Sequence, residues 1–484
     1  MILHSENIIG RNLSSTGNKK FKSYNPSTNK NIGPDFFTAD AKEIEKACEQ
    51  AKNMSQAFFE IGAQARLVFL KTICSNLKSN EKELINWFVR ESGLSEARAK
   101  LELDRTTHQI LSYGNAAVEL FSAAPKIKTE PPINSIQREY FPIGPIAVFG
   151  ASNFPFAYST AGGDTASALA AACPVIVKGH PLHPITGHLV GQCIQKAAIN
   201  TDMPDGVFSY LNSNDHAVGE KLVLNEAVKG VGFTGSIQGG RAIFDIAAKR
   251  ETLIPVFAEM GSINPVFISN SALKEKNNWA KEYAQSISLG VGQFCTSPGV
   301  IFGIDTKEFN DFSKELTDLV ENSDEQIMLG TSIKSNYQSS LARIGVKTEP
   351  TQHKNGIKPT IKMIDADAFK SNADYSLECF GSFCLIVRCS NLQEVEQCID
   401  LLEGQLTCSI IAKKKELSQL DDLIYKLKSK CGRLIFNGVS TGVAVHPLQH
   451  HGGPYPASTD SRFTAVGNDA ILRWVRPIAI QNTF

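Results

Sequence analysis

The sequence predicts an α/β protein with two doubly wound, parallel-sheet domains, and three observations carry that prediction. From residue 143 onward, short apolar runs ending in small or polar residues alternate with helix-spaced segments, as a parallel sheet with crossover helices requires. A second alternating set begins near residue 264. The chain has 484 residues, about three times the usual single-domain length, which leaves room for two or three domains with large cores.

The elements follow in order. After a polar start, residues 40–61, 63–93 and 95–124 place apolar side chains three and four apart, and each reads as amphipathic helix. The stretch "APKIKTEPPINSIQREY", 124–140, alternates apolar with polar around a Pro-Pro turn and predicts a protruding strand pair. The runs "IGPIAVFGASN", "CPVIVKGH", "GVFSYLNS", "VKGVGFTGS" and "TLIPVFAEMG" supply strands for the first sheet. "NPVFIS", "GVIFGI", "FCLIVRC" and "LTCSIIA" supply the second, and the tail "ILRWVRPIAIQNTF" reads as a final strand.

Composition excludes several function classes. Lysine and arginine number 49 and so do the acids, and with no long basic run there is no electrostatic case for nucleic acid or an anionic membrane. No apolar run reaches membrane-spanning length, and the start of the chain does not look like a secretory signal. The 11 cysteines include no Cys-x-x-Cys pair, so they read as reduced thiols of a cytoplasmic protein and not as disulfides or structural zinc ligands. Small-molecule chemistry is what remains.

Candidate sites lie at the predicted strand ends. "GVGFTG", 230–235, matches the dinucleotide fingerprint literally, but the strand lies inside the match, where the fingerprint needs its glycines after the strand. In the following "GSIQGG", Gly235, Ser236 and Gly240 flank a helix start that suits a phosphate, or else form a tight turn that needs glycine. Lys178 closes a buried strand, and Lys178, His180, His183 and His188 fall in a window with no acid between Asp164 and Asp202. An NAD site usually places an acid on the ribose 2′-hydroxyl, so its absence favours NADP, with NAD still possible. Asn153, before a proline, offers two amide N–H donors to an oxyanion, or simply forms a turn. Glu259 ends an apolar strand, where desolvation would raise its pKa toward that of a working base; a salt-bridged structural role is the alternative. Cys295, in "GQFCTSPGV", differs from the other ten in its polar, turn-forming flanks, which leave the sulfur accessible as a nucleophile.

Asn153, Lys178, "FTGS", Glu259 and "GQFC", in this order and spacing, resemble the aldehyde dehydrogenase superfamily over nearly the whole chain, and "SLECFGSF" is similar to that family's Glu-x-Phe-Gly-Pro. The resemblance implies a dinucleotide-binding domain over 1–122 and 143–257. It also implies a catalytic domain over 258–458 and a β oligomerisation element from 123–142 and 459–484, giving a homodimer or homotetramer. It further implies Cys295 as nucleophile, Asn153 with the Cys295 N–H as oxyanion hole, and Glu259 as general base. Lys178 would meet the adenosine ribose, Ser236 the pyrophosphate, and Glu378 with Phe380 the nicotinamide ribose. Ser152, Met260-Gly261-Ser262 and Ser382 depart from the family pattern, and Pro181 stands where NAD-selecting members carry Glu. These departures, with "VKGHPLHP" and "HHGGPYPASTDSRFTAVG", resemble the alpha-ketoglutaric semialdehyde (2,5-dioxopentanoate) dehydrogenase branch; NADP-dependent fatty aldehyde dehydrogenases share much of the pattern.

The expected reaction is thiolate attack on an aldehyde, hydride loss, and hydrolysis of a thioester activated by Glu259, with no metal. A CoA-acylating enzyme would use the same cysteine, whereas a structural protein would not need Cys295, Glu259 and Asn153 together. His446, His450 and His451, around a proline and with no acid or cysteine near in sequence, read as a loop at the substrate entrance and not as a metal site. For a distal carboxylate, Arg105 is the candidate cation, with Phe156 lining the channel.

Overall fold

In the computed structural model, which describes residues 2–122, 127–128, 133, 135–274 and 278–482, the first alternating region forms a seven-stranded sheet. Its order is Val256–Glu259, Gly230–Thr234, Ile146–Phe149, Val175–Lys178, Phe208–Leu211, Asn7–Ile9 and Asn12–Ser14. The first five strands run parallel, and the two N-terminal ones add antiparallel at the edge. The chain runs outward from 146 to 211 and then returns beside its first strand, so the direction of winding reverses next to Ile146–Phe149. The crevice at the carboxyl ends of the strands there is where such sheets bind ligands. The strand Gly230–Thr234 fills most of the "GVGFTG" match, as its apolar alternation requires.

The second region forms a six-stranded, all-parallel sheet in the order Thr360–Asp365, Phe383–Cys389, Val300–Ile304, Val266–Ile268, Gln405–Ile411 and Cys431–Phe436. Each central strand is buried on both faces, which is why it reads as a continuous apolar run. A third, antiparallel sheet pairs the tail Val475–Gln481 with Ser135–Pro142 and Ile127–Lys128. The expected protruding pair is thus present, while its Pro-Pro turn lies outside the described residues.

The amphipathic segments form helices Ala41–Glu60, Gly62–Ser79, Glu81–Ser92 and Glu96–Leu120. The span 63–93, expected as one helix, is broken at Asn80, whose φ of −110° leaves the helical region. Asp40 accepts from the Glu43 N–H while Glu43 accepts from the Asp40 N–H, a capping box that fixes the first helix start. The hairpin Lys20–Asn25/Lys30–Phe37 and the strands 360–365 and 431–436 went unrecognised in the sequence, because their polar-rich faces hide the apolar alternation.

The segment before the tail is pinned to the first sheet. Trp474 is fully buried and donates from Nε1 to Ser167 Oγ at 2.7 Å, while buried Arg473 pairs with Asp164 at 2.7 Å. Removing an indole from such a core costs about 3–5 kcal/mol. This anchoring holds the long loop 437–467 against the carboxyl end of the first sheet.

Candidate active site

Glu259 is the last residue of the outermost first-sheet strand, and the next strand of the chain, Val266–Ile268, already belongs to the second sheet. Cys295 lies on the loop leading into the second-sheet strand Val300–Ile304. The catalytic candidates therefore meet at the junction of the two sheets. Gly299 donates to Ile263 O at 2.7 Å and ties the cysteine loop to the crossing segment.

Two features fix the cysteine loop. Gly290, Val291 and Gly292 all carry positive φ, at 56°, 65° and 62°, the valine against its preference. A Cβ on Gly292 would come within 2.3 Å of the Gly381 backbone, so only glycine lets the loop approach the 378–381 segment. Asn264, fully buried at φ +50°, then donates from Nδ2 to the carbonyls of Cys295 and Ser297, both at 2.9 Å. Its Oδ1 accepts from Ser262 and Thr407, and Gln405 Oε1 accepts from the backbone of Ile263 and Asn264, closing a satisfied buried network.

His451 completes the centre. Its ring is buried, with Nε2 3.8 Å from Cys295 Sγ and 2.9 Å from Glu259 Oε1. The backbone N–H of His451 donates to Thr464 Oγ1 at 2.8 Å, and Glu259 forms a bridge with Ser458, so the C-terminal loop is seated on Glu259. Burial raises the Glu259 carboxyl, but the facing His451, the Cys295 thiol and Arg473 outweigh it and hold it below the usual carboxylate range. The expected upward shift is thereby reversed, because the sequence could not show the imidazole. The Cys295 thiol is pushed up, first by burial and then by Glu259 and Glu378.

Asn153 reaches the same centre: its Nδ2 donates to Gln293 O at 2.8 Å, two residues before the cysteine, which leaves its second amide hydrogen available. Its loop is held by Glu102, buried on helix 96–120, whose Oε1 accepts from the N–H groups of Phe156 and Ala157 at 2.9 and 3.1 Å. Arg98 pairs with Glu102 at 3.1 Å and lies over the rings of Phe154 and Phe294, joining the asparagine and cysteine loops. Phe156 does not line a channel: its ring packs in the core against Phe88. The side chain alternates away at that position, and the rings beside the centre are Phe154, Tyr158 and Phe294.

Arg105 lies on the same helix as Arg98. It donates to Tyr158 Oη at 3.1 Å and to Val443 O, and Tyr158 in turn packs against the His451 ring. Arg433, on the last strand of the second sheet, donates to Ser440 O and Gly442 O, and its charge draws the Cys295 thiol downward. The Nε of each arginine is buried with no hydrogen-bond partner, and neither has an acidic partner among the described residues.

The cofactor candidates lie along the crevice. Lys178 is flanked by Phe149 and Leu211 at the strand ends; burial lowers its ammonium to about 8, with Asp215 pulling the other way. Asp215 comes from the loop after the neighbouring strand, outside the window the sequence argument covered, and is engaged by Lys19 at 3.4 Å. His180 stacks on His183, and burial keeps it well below its usual range. Ser236 caps helix Ile237–Ala248 through the Gly239 N–H, while Gly235 and Ser236 stay exposed at the helix start. A Cβ on Gly240 would strike Met260, so that glycine serves packing. Glu378 and Phe380 line a cleft with Gly292, Phe294 and Ser297, and burial pushes the Glu378 carboxyl up to about 7. A Cβ on Gly261 would come within 2.5 Å of Glu378 Oε2, so the glycine keeps that carboxylate in place.

Arg433, Asn264, Arg98 and Glu102 are the residues sequence reasoning missed, and His451, read there as part of an entrance loop, was not recognised as the partner of Cys295 and Glu259. Only His451 had a visible signal, the "HHGG" beside a proline-rich turn.

The model of the aldehyde dehydrogenase family matches residues 13–462. The alpha-ketoglutaric semialdehyde dehydrogenase 2 of Azospirillum brasilense is 37% identical, with all of this chain and 95% of that protein covered. An alpha-ketoglutaric semialdehyde dehydrogenase of Acinetobacter baylyi is 35% identical over 93% of this chain and 88% of its own. Among solved structures, 1-pyrroline-5-carboxylate dehydrogenase from Thermus with bound NAD superposes with a TM-score of 0.85 at 19% identity, covering 99% of this chain and 93% of that one.

Proposed function

The chain belongs to the aldehyde dehydrogenase family and is an NAD(P)-dependent oxidoreductase acting on aldehydes; from that premise we propose that it oxidises 2,5-dioxopentanoate to 2-oxoglutarate. The observation that carries the substrate is the pair of half-buried guanidinium groups of Arg105 and Arg433 beside Tyr158 and Cys295, neither of them ion-paired with an acid among the described residues. A half-buried cation without a counter-charge is disfavoured, and a substrate carboxylate supplies that counter-charge with charge-assisted hydrogen bonds. The names of the two relatives support the same substrate.

Cys295 Sγ attacks the aldehyde carbon, and its thiol proton passes to His451 Nε2, 3.8 Å away. The imidazolium so formed faces the Glu259 carboxylate at 2.9 Å, which stabilises it. The free amide hydrogen of Asn153 and the Cys295 N–H hold the oxyanion; losing one such donor typically costs about 100- to 1000-fold in rate. When bound, the nicotinamide dinucleotide supplies the acceptor for the hydride that leaves the substrate carbon. His451 then releases its proton to solvent, and the thioester left on Cys295 is hydrolysed by a water whose proton goes to the Glu259–His451 pair, because Glu259 alone, held ionised, is a weak base.

For the cofactor, Lys178 and the exposed start of helix Ile237–Ala248 suit phosphate, and Glu378 suits a ribose diol. Lys178, which has no hydrogen-bonded acid among the described residues although Asp215 lies near enough to act on its charge, and Pro181, where an acid would stand, support NADP over NAD. The antiparallel sheet of Val475–Gln481 and Ser135–Pro142, with Phe141 exposed, is the surface for a homodimer or homotetramer. No helix among the described residues is long and apolar enough to cross a membrane, and the 11 cysteines are free, which fits a cytoplasmic setting.

The test is steady-state NADPH and NADH formation with 2,5-dioxopentanoate against straight-chain aldehydes, alongside Cys295→Ala. The dioxo acid with NADP gives the highest kcat/KM and the variant is inactive. Higher kcat/KM for long aliphatic aldehydes sinks the substrate; an active Cys295→Ala sinks the mechanism.

A further inference from the structure

Cys295, Glu259 and His451 each turn one donor atom toward a common point, all within 4.8 Å of one another. The sulfur lies 3.8 Å from His451 Nε2, and that nitrogen 2.9 Å from Glu259 Oε1. A tetrahedral zinc ion with bonds of about 2.0–2.3 Å separates its ligand atoms by about 3.3–3.5 Å, between these two distances. The donor set is one sulfur, one imidazole nitrogen and one carboxylate oxygen, which selects zinc-class cations over magnesium or calcium. Charge agrees: a thiolate and a carboxylate beside a neutral imidazole carry two negative charges, costly when buried and balanced by one divalent cation. The three histidines near residue 450 do not form this set, since His446 is exposed and only His451 faces the cysteine.

We propose that Cys295, Glu259 and His451 form a binding site for a single zinc-class divalent cation, and that its occupancy reversibly shuts off aldehyde oxidation. On binding, the Cys295 thiol releases its proton to solvent and a metal–sulfur bond forms; nothing is oxidised or reduced. Three protein ligands leave a fourth position for water. The metal-bound sulfur has lost its nucleophilicity, and Glu259 and His451 no longer accept protons. The ring Nδ1 of His451 has no hydrogen-bond partner among the described residues. Without an outer partner to orient the ligand, the site binds more weakly than a structural zinc site, which suits reversible control. The inhibitory consequence rests on Cys295 being the nucleophile; the binding does not.

The experiment titrates the full-length, EDTA-treated protein with Co²⁺ and follows the thiolate-to-cobalt charge-transfer band, then repeats the titration with Zn²⁺ while assaying activity. A band saturating at one equivalent is expected, lost in Cys295→Ala and shifted at least about tenfold to higher cobalt in His451→Gln. Activity should fall over the same range of Zn²⁺ and return with EDTA. Glu259→Gln, checked by circular dichroism, weakens the band in the same direction if the histidine variant does not fold. A band that survives in Cys295→Ala, or that saturates at the same cobalt in folded His451→Gln and Glu259→Gln, overturns the site. Zinc inhibition without a thiolate band in the parent protein overturns it too. A cobalt band in a protein inactive toward every aldehyde would leave the site standing and the catalytic role of Cys295 refuted.

Discussion

Replacing Asn264 with aspartate tests whether its amide, and not its shape alone, holds the Cys295 loop. Both residues tolerate the left-handed backbone at φ +50°, so conformational strain cancels in the comparison. The hydroxyls of Ser262 and Thr407 keep their acceptor. What changes is Nδ2, which donates at 2.9 Å to the carbonyls of Cys295 and Ser297 and becomes an oxygen facing both. Two hydrogen bonds are lost at about 1 kcal/mol each, and the undonated buried acceptors add about 1–3 kcal/mol, so Asn264→Asp costs about 3–5 kcal/mol. That is a large part of an ordinary domain's 5–15 kcal/mol, roughly speaking. The assay is the urea midpoint together with kcat and the rate of Cys295 alkylation by iodoacetamide at pH 8. The midpoint and kcat both fall, and alkylation changes rate as the loop loosens. Facing two carbonyls, the introduced carboxyl has a folded pKa above its unfolded value. The stability it permits is therefore present below about pH 4 and lost as pH rises through the folded pKa. A variant matching the parent in midpoint and kcat at pH 8 refutes the argument.

Three further outcomes follow from the same geometry. Arg433→Ala raises KM for 2,5-dioxopentanoate by about 10- to 100-fold, as expected for a charge-assisted contact worth about 1.5–3 kcal/mol, and leaves KM for uncharged aldehydes nearly unchanged; equal losses on both classes would count against a carboxylate anchor. Glu378, with its carboxyl near 7, is neutral below that pH and ionised above it, so cofactor KM improves from pH 6 to pH 8 in the parent, whereas Glu378→Gln flattens that profile. Glu102→Ala strands Arg98 and the N–H groups of Phe156 and Ala157, costing about 3–5 kcal/mol and lowering kcat through the Asn153 loop; thermal unfolding and kcat unchanged from the parent would contradict it.

Strands that lie buried in parallel sheets were legible because burial on both faces leaves an unbroken apolar run, as at Val175–Val177 and Phe383–Cys389. The separate hairpin at 20–37 was not, since only part of each strand is buried. Cys295, Glu259 and Asn153 stood out because each breaks the local pattern, a polar or reactive residue where packing would place another. Asn264 and Glu102 are polar residues whose partners sit far away in the chain, and a one-dimensional pattern carries no trace of such pairing. The same limit explains Glu259: its environment depends on a histidine 192 positions later, 259 against 451, and the sign of its shift follows from that neighbour.

The reacting groups come from four separate stretches, around 153, 259, 295 and 451, joined at the seam between two sheets. A chain emerging during synthesis therefore carries Glu259 and Cys295 well before His451, and the three meet only when the C-terminal segment docks. On the proposed mechanism, chemical competence is thus a late product of folding, reached only in a molecule whose Trp474 is already seated.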